Sequence, residues 1–184
     1  MFYSNYLLLA NPTAFPEKSL YDKSVIYLFY HGRDGAIGYV INQVMQKSAA
    51  ASICAELPTE VDTNKLYIGG DVELNRGYVM HSNDYSKQGT QAINEDLAIT
   101  HSMNILHDIN RGTGPSEYQV MFGNLKWEAG KLDEEIRFGT TMTKKPLWLP
   151  VKFDSAYLFE KQAWQTAMSD YAEQKSADFF GKYA

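Results

Sequence analysis

Ser24-Val-Ile-Tyr-Leu-Phe-Tyr-His31-Gly-Arg-Asp-Gly-Ala-Ile-Gly-Tyr-Val-Ile-Asn42 is the stretch whose reading decides the fold. Two runs of β-branched and aromatic residues flank Gly32-Arg-Asp-Gly35, a pattern that predicts a β-hairpin with strands over 24–30 and 36–42. Val25, Tyr27 and Phe29 alternate with Ile26, Leu28 and Tyr30, and both sets are largely apolar. The first strand is therefore expected to be central and covered on both faces. Gly32, Gly35 and Gly38 also mimic the spacing of a phosphate-binding loop. Such a loop needs a helix after it, so that amide N–H groups and the helix dipole point at the anion. Ile37, Tyr39, Val40 and Ile41 have strand composition instead, which sets the hairpin above the cradle.

Outward from the hairpin, Tyr6 to Ala10 reads as a first, buried strand. Further strands are expected at 65–68, 76–81 and 118–122, an edge strand at 90–94, and an extended segment at 146–153. Helices are expected at 48–57, stopped by Pro58, and at 100–110, with Thr100 as N-cap and Met103, Leu106 and Ile109 on one face. Residues 128–138 read as an amphipathic helix with Leu132 and Ile136 inward and Asp133, Glu134 and Glu135 outward. Residues 154–182 read as mainly helical, with Ala163, Trp164, Ala167 and Met168 in one stripe. Hairpins and short connections outnumber crossover units, so the fold class is α+β: a mixed, largely antiparallel sheet flanked by helices. The expected organisation is one α+β domain over 1–168 and a C-terminal helical extension over 169–184, carrying Tyr171, Phe179, Phe180 and Tyr183.

The 184 residues are 45% hydrophobic and 14% aromatic, enough for a buried core and incompatible with a disordered chain. A net charge of −5 argues against salt-driven attachment to nucleic acid or anionic membranes. The single cysteine, Cys54, excludes an internal disulfide and a multi-cysteine zinc cage and suits a reducing compartment. Its apolar helical surroundings predict a buried, inert thiol. No run approaches the roughly 20 apolar residues of a membrane span. The N-terminus lacks the basic flank of a signal peptide, so a cytoplasmic protein is expected.

Catalytic signatures are sparse. Neither a Gly-x-Ser-x-Gly elbow nor a supported Ser-x-x-Lys arrangement occurs. His101 and His107 lack the i, i+4 spacing of a metal pair. His31 and His81 both close strands and are placed to meet at one sheet edge, without carboxylates at fixed spacing. No metal and no cofactor are expected. Arg76 is the strongest single polar candidate, either a fork for a carboxylate or phosphate or the partner of Asp71 or Glu73. Trp127, between Gly123 and Gly130, is either a wedge of helix on sheet or a ligand platform.

The blocks resemble one family in combination. Leu9-Ala-Asn-Pro12, Ser24-Val-Ile-Tyr27, His31 and Gly35-Ala-Ile-Gly38-Tyr-Val-Ile-Asn42 are followed by Tyr67-Ile-Gly-Gly70, Val72 and Arg76-Gly-Tyr-Val-Met-His81. Thr100, Ser102, Gly112-Thr-Gly-Pro115, Gly123, Trp127, Ala129-Gly130, Leu132, Glu135, Trp164 and Ala167 continue the series. This order resembles the YqgE/AlgH family from about Tyr6 to Met168. The resemblance implies a small cytoplasmic α+β protein, loosely described as a transcriptional regulator, that brings no assigned catalytic residue. The shared positions His31, Asn42, Gly69, Gly70, Arg76, His81 and Trp127 become the candidates for a ligand or partner site. The chain departs from the family pattern at Tyr30, where a Glu is usual, at Asp71 for Pro, at Asn124, Leu125 and Lys126, and at Lys131 for Gln. A non-enzymatic regulatory or protein-interaction role, with another protein as partner and no direct nucleic-acid contact, is the expectation. A small-ligand-binding protein or enzyme with a site near His31, Arg76 and His81 is the alternative.

Overall fold

In the computed structural model, strands β1 (Tyr6–Ala10), β2 (Val25–Gly32) and β3 (Gly35–Val40) precede helix α1 (Lys47–Cys54). β4 (Leu66–Ile68), β5 (Val72–Ser82), β6 (Thr90–Ala92), β7 (Leu97–Thr100) and helix α2 (Ile105–Asn110) come next. β8 (Tyr118–Glu128), α3 (Lys131–Arg137), β9 (Trp148–Lys152) and α4 (Ala163–Gly181) complete the order. The structure describes residues 2–19, 21–57, 59–140, 144–154, 157–160 and 162–181, with side chains as far as 177. Pro58 and the aromatic groups of Phe179, Phe180 and Tyr183 lie outside what is described. The chain divides into two units, Met1–Ile37 with Lys126–Ala184, and Gly38–Leu125.

In the first unit β1 lies between β2 and β9, antiparallel to both, with Leu7 opposite Tyr27 on one side and Val151 on the other. Leu7, Leu8, Leu9 and Val25 to Leu28 are completely buried. Both faces are thus covered over Val25–Leu28, as the doubly apolar pattern requires, with Phe29 half-buried and Tyr30 exposed. α3 packs on β9 and α4 on β1, where Trp164 Nε1 donates to the Ala10 carbonyl at 3.1 Å. Arg33 and Asp34 form the turn between β2 and β3, and a strand, not a helix, follows Gly35. The phosphate-cradle reading is excluded on that ground.

In the second unit β5 carries β7 on one side and β8 on the other, both antiparallel, and β7 carries β6. β4 runs parallel to β8, so the fold is mixed but largely antiparallel. α1 and α2 cover one face, where Ala50, Leu66, Val79, Ile105, Leu106, Val120 and Phe122 form a buried core.

The sequence reading places no strand at 97–100 and makes Thr100 a helix cap. Leu97-Ala-Ile-Thr100 is instead a fully buried strand between β5 and β6, and α2 starts only at Ile105, after Asn104. Four residues without alternation carry no periodicity, and burial on both faces removes the polar positions that would have shown it. Ser102 correspondingly lies in the loop before α2, where its Oγ accepts from the Asn104 amide at 3.4 Å. β5 and β8 also run longer than their apolar centres, because β5 pairs again at Val72 after an irregularity that ends at Gly77.

Gly69, Gly70 and Gly123 explain a motif that looked functional. The Gly69 amide donates to the Phe122 carbonyl at 2.7 Å, and a Cβ on Gly70 would overlap the backbone of Asn124. Gly123 has φ +77°, and a Cβ there would lie 2.6 Å from the Gly70 carbonyl oxygen and 3.0 Å from that of Val72. Gly112 has a similar φ of +70° but open space around it. Gly112→Ala should therefore cost only the left-handed strain, about 1 kcal/mol. Gly123→Ala should cost about 2 kcal/mol more, because backbone must shift as well. Urea midpoints of the two variants compare them directly, and equal losses would refute the close-approach role.

Candidate functional site

Within the second unit, the loop after β5, the end of β7 and the start of α2 enclose an open cleft of about 700 Å³. Tyr85, Lys87, Gln88, Thr100, Ser102 and Asn104 line it, with His101, Ile105 and Asp108. Asp108 anchors one wall: its Oδ2 accepts from Lys87 Nζ at 2.9 Å and from the Tyr85 hydroxyl at 2.7 Å. The Lys87 hydrogen bond, reinforced by Tyr85, holds the Asp108 carboxyl below the usual carboxylate range. Burial, with the neighbouring carboxylate, pushes the Tyr85 phenol up to about 12.

Beneath this wall lies a directed chain of hydrogen bonds. The strand register sets Thr90 opposite Thr100 and Thr100 opposite Val79, so the two hydroxyls meet, 2.7 Å apart, on the face that carries His81. His81 is wholly buried, with Nε2 2.9 Å from Thr100 Oγ1 and Nδ1 2.8 Å from the Ser82 carbonyl oxygen. A carbonyl can only accept, so Nδ1 bears the proton and Nε2 is left as acceptor. Thr100 must then donate to His81, and Thr90 to Thr100. Burial lowers the His81 imidazole below the ordinary histidine range and keeps it neutral.

The structure disperses the sequence candidates. Arg76 lies within β5. It sits over the Tyr78 ring at 5.4 Å, with Nη1 3.8 Å from Glu73 Oε1. The Tyr78 ring meets His101 edge-on, whereas His81 meets Tyr85 and Thr100, so Arg76 and His81 use opposite faces of β5. Asn42 is half-buried in the segment after β3. Gly69 and Gly70 serve the backbone approach described above.

In the first unit, His31 Nδ1 accepts from the Tyr3 amide at 3.1 Å while Nε2 lies 3.4 Å from Asp133 Oδ2. Trp127 Nε1 donates to Glu135 Oε2 at 2.9 Å, and Trp148 Nε1 donates to the same oxygen at 2.8 Å. Asp133 and Glu135 therefore do not point to solvent as their helical positions suggest; of the three acids only Glu134 is exposed. Cys54 is half-buried at the margin of the α1–α2 core. Among the described residues, no three His, Cys, Asp or Glu side chains gather so as to hold a metal ion. Among them, too, no helix is long and apolar enough to cross a membrane.

An AlgH-like family model (DUF179) matches residues 7–176. The chain belongs to this family, known also as UPF0301. A UPF0301 protein of Methylococcus capsulatus is 30% identical over 90% of the chain and 89% of its own length. One from Rhodospirillum rubrum is 34% identical over 80% and 77%. The solution structure of the AlgH protein from Pseudomonas aeruginosa superposes with a TM-score of 0.67 at 27% identity, covering 92% of this chain and 87% of that one. A crystal structure from Corynebacterium diphtheriae, at 16% identity and a TM-score of 0.65 over 90% and 85%, shares the fold. Family membership carries no established molecular activity.

No cleft-lining residue was among the seven sequence candidates; His81 lies buried behind the cleft, bonded to Thr100. Thr100 and Ser102 stood in the family pattern, but a helix assignment hid their chemistry. Tyr85, Lys87, Gln88 and Asp108 carried no signal, because the loop and α2 meet only in three dimensions.

His81 is held neutral, so its contribution to stability is complete above about pH 6.5, the ordinary histidine value, and is lost as pH falls toward the lower folded value. His101, lowered first by burial and then by Arg76, acts in the same direction. Unfolding midpoints measured from pH 7.5 to about 5.5 should fall, and the slope should be shallower in His81→Gln. An unchanged slope in that variant would show that His81 titrates alike in the folded and unfolded chains.

Proposed function

We propose that this protein binds a small polar molecule in the Tyr85–Asp108 cleft and acts as a ligand-responsive regulator in the cytoplasm. The reading rests on one observation: a cleft of ligand size whose polar side chains are fixed by one another before any ligand arrives. Lys87 and Asp108 offset each other, and burial keeps His101 below the ordinary histidine range. A neutral or singly charged ligand with hydrogen-bond acceptors suits that balance. Gln88, Ser102 and Asn104 offer uncharged donors to it. None of the seven sequence candidates lines this cleft; His81, buried behind it, bonds to Thr100. His31, Gly69, Gly70, Arg76 and Trp127 keep architectural roles in the proposal, and Asn42 is given none.

A second reading, a non-enzymatic regulator working through another protein, draws support from Val44 and Leu74. These apolar side chains of the same unit are 52% and 57% exposed. The two readings combine if ligand binding alters a surface that a partner protein reads. Direct nucleic-acid binding is left out of the proposal, given the net charge of −5.

Amide-resolved NMR titration of the full chain with a panel of small carboxylates, amides and esters tests the cleft. Shifts should concentrate in residues 85–108, and Asn104→Ala should weaken binding by about tenfold, equivalent to about 1.4 kcal/mol. Binding that maps elsewhere, or that Asn104→Ala leaves unchanged, would remove the cleft from the proposal.

A further inference from the structure

Tyr85 and Lys87 both donate to the same oxygen of Asp108, Oδ2, at 2.7 and 2.9 Å. Oδ1 meets no donor among the described residues and is open to solvent. The carboxylate therefore keeps one accepting oxygen on a wall of the cleft. Lys87 Nζ carries three N–H groups, of which one is spent on Asp108, and its side chain is 57% exposed. An open acceptor and an open donor thus stand side by side. Both are fixed from behind. The Lys87 amide donates to Thr90 Oγ1 at 3.3 Å, and the Thr90 amide donates to the Lys87 carbonyl at 3.0 Å. The Asp108 carbonyl accepts from the Thr113 amide at 2.9 Å and from the Thr113 hydroxyl at 3.3 Å. The Lys87 ammonium also lies over the Tyr85 ring, 5.7 Å from its centre. A pair held in this way needs little ordering when a ligand arrives.

We propose that the cleft selects a neutral carboxamide whose N–H and C=O lie on the same side, a primary amide or a lactam. Its N–H donates to Asp108 Oδ1, and its carbonyl oxygen accepts from Lys87 Nζ. The inference rests on the cleft being a ligand site and names the group that the site recognises. Gln88, Ser102 and Asn104, on the remaining walls, are left to the rest of the ligand.

Charge separates this group from its nearest competitors. Hydrogen bonds from Lys87 and Tyr85 hold the Asp108 carboxyl below the usual range, so it is a carboxylate at neutral pH. A ligand carboxylate would set a second anion against Oδ1. A ligand ammonium would face Lys87 and also Arg111, whose charge bears on Asp108 as well. An ester supplies the carbonyl but turns an oxygen lone pair toward Oδ1, leaving acceptor against acceptor. A carboxamide meets both halves of the pair and adds no charge to either.

δ-Valerolactam and δ-valerolactone differ only in N–H against O beside the carbonyl. Amide-resolved NMR titration of the full chain with each, and with N-methyl-δ-valerolactam, tests the proposal before any mutation is made. The lactam should shift amides within residues 85–108. The lactone and the N-methyl lactam should bind about tenfold more weakly or worse, the loss expected for a hydrogen bond to a charged group. In Asp108→Asn the amide oxygen stays with Tyr85 and Lys87 and the NH2 group replaces Oδ1, so the preference for lactam over lactone should vanish or reverse. Lys87→Met should weaken lactam and lactone alike. Circular dichroism of each variant reports folding, and where a variant does not fold the wild-type comparison decides. Equal binding of lactam and lactone, or a preference that survives in folded Asp108→Asn, would overturn the proposal. Cleft shifts from small carboxylates or esters with none from the lactam would overturn it and leave the ligand site standing. No cleft shift from any of these compounds would overturn both readings.

Discussion

A buried imidazole must have its two nitrogens satisfied, and in the second unit that requirement falls on His81. Leaving one of them without a partner would cost about 1–3 kcal/mol, a substantial part of the stability of a domain this size. The partners are supplied by the register of β5, β7 and β6, which sets Thr100 between Val79 and Thr90. A slip of β7 by one residue would carry the Thr100 hydroxyl to the other face and orphan Nε2. The same histidine therefore selects a strand register that the apolar residues of β7, Leu97 to Ile99, could not specify for themselves. At the end of β5, Ser82 Oγ donates to Asp84 Oδ1 at 2.6 Å and accepts from the Glu117 amide at 3.1 Å, tying the loop that follows to the start of β8. The wall of the cleft is built on that loop.

The first unit uses polar groups in the same way. α3 is seven residues long, too short to hold its shape by backbone bonding alone. It is fastened by its own acids: Glu135 takes two indole N–H groups, and Asp133 meets His31. His31 in turn receives the Tyr3 amide and stacks on the Tyr3 ring, drawing the N-terminal segment onto β2. These contacts give the histidine and tryptophan of the family pattern a mechanical role. They also account for why a helical wheel misplaced the acids, since hydrogen bonding to buried donors outweighed the preference of a carboxylate for water.

Legibility followed punctuation. β1, an unbroken apolar run closed by Asn11-Pro12, was read to its exact ends, and the hairpin to within two residues because its glycines mark the turn. β7 is only four residues long, with neither alternation nor a glycine or proline beside it, and the helix assigned in its place concealed Thr100. The family was legible from scattered glycines and aromatic residues, most of which turn out to shape backbone. The cleft was not legible. Its chemistry joins residues on a loop, a strand end and a short helix whose proximity is set by the fold, and no local pattern encodes that proximity.

The positions where this chain departs from the family pattern bear on whether its chemistry could survive. Tyr30 is exposed and donates to Asp34, in the hairpin turn. Asp71 follows the Gly69–Gly70 approach, and Asn124 is buried against Glu73 and Tyr78 on the face of β5 away from His81. Lys131 pairs with Glu134 on the exposed side of α3. None of these residues lines the cleft or joins the Thr90–Thr100–His81 chain. If activity resided in the polar partners around the family's first histidine or its double glycine, those substitutions would be expected to abolish it. A ligand site in the Tyr85–Asp108 cleft is untouched by them.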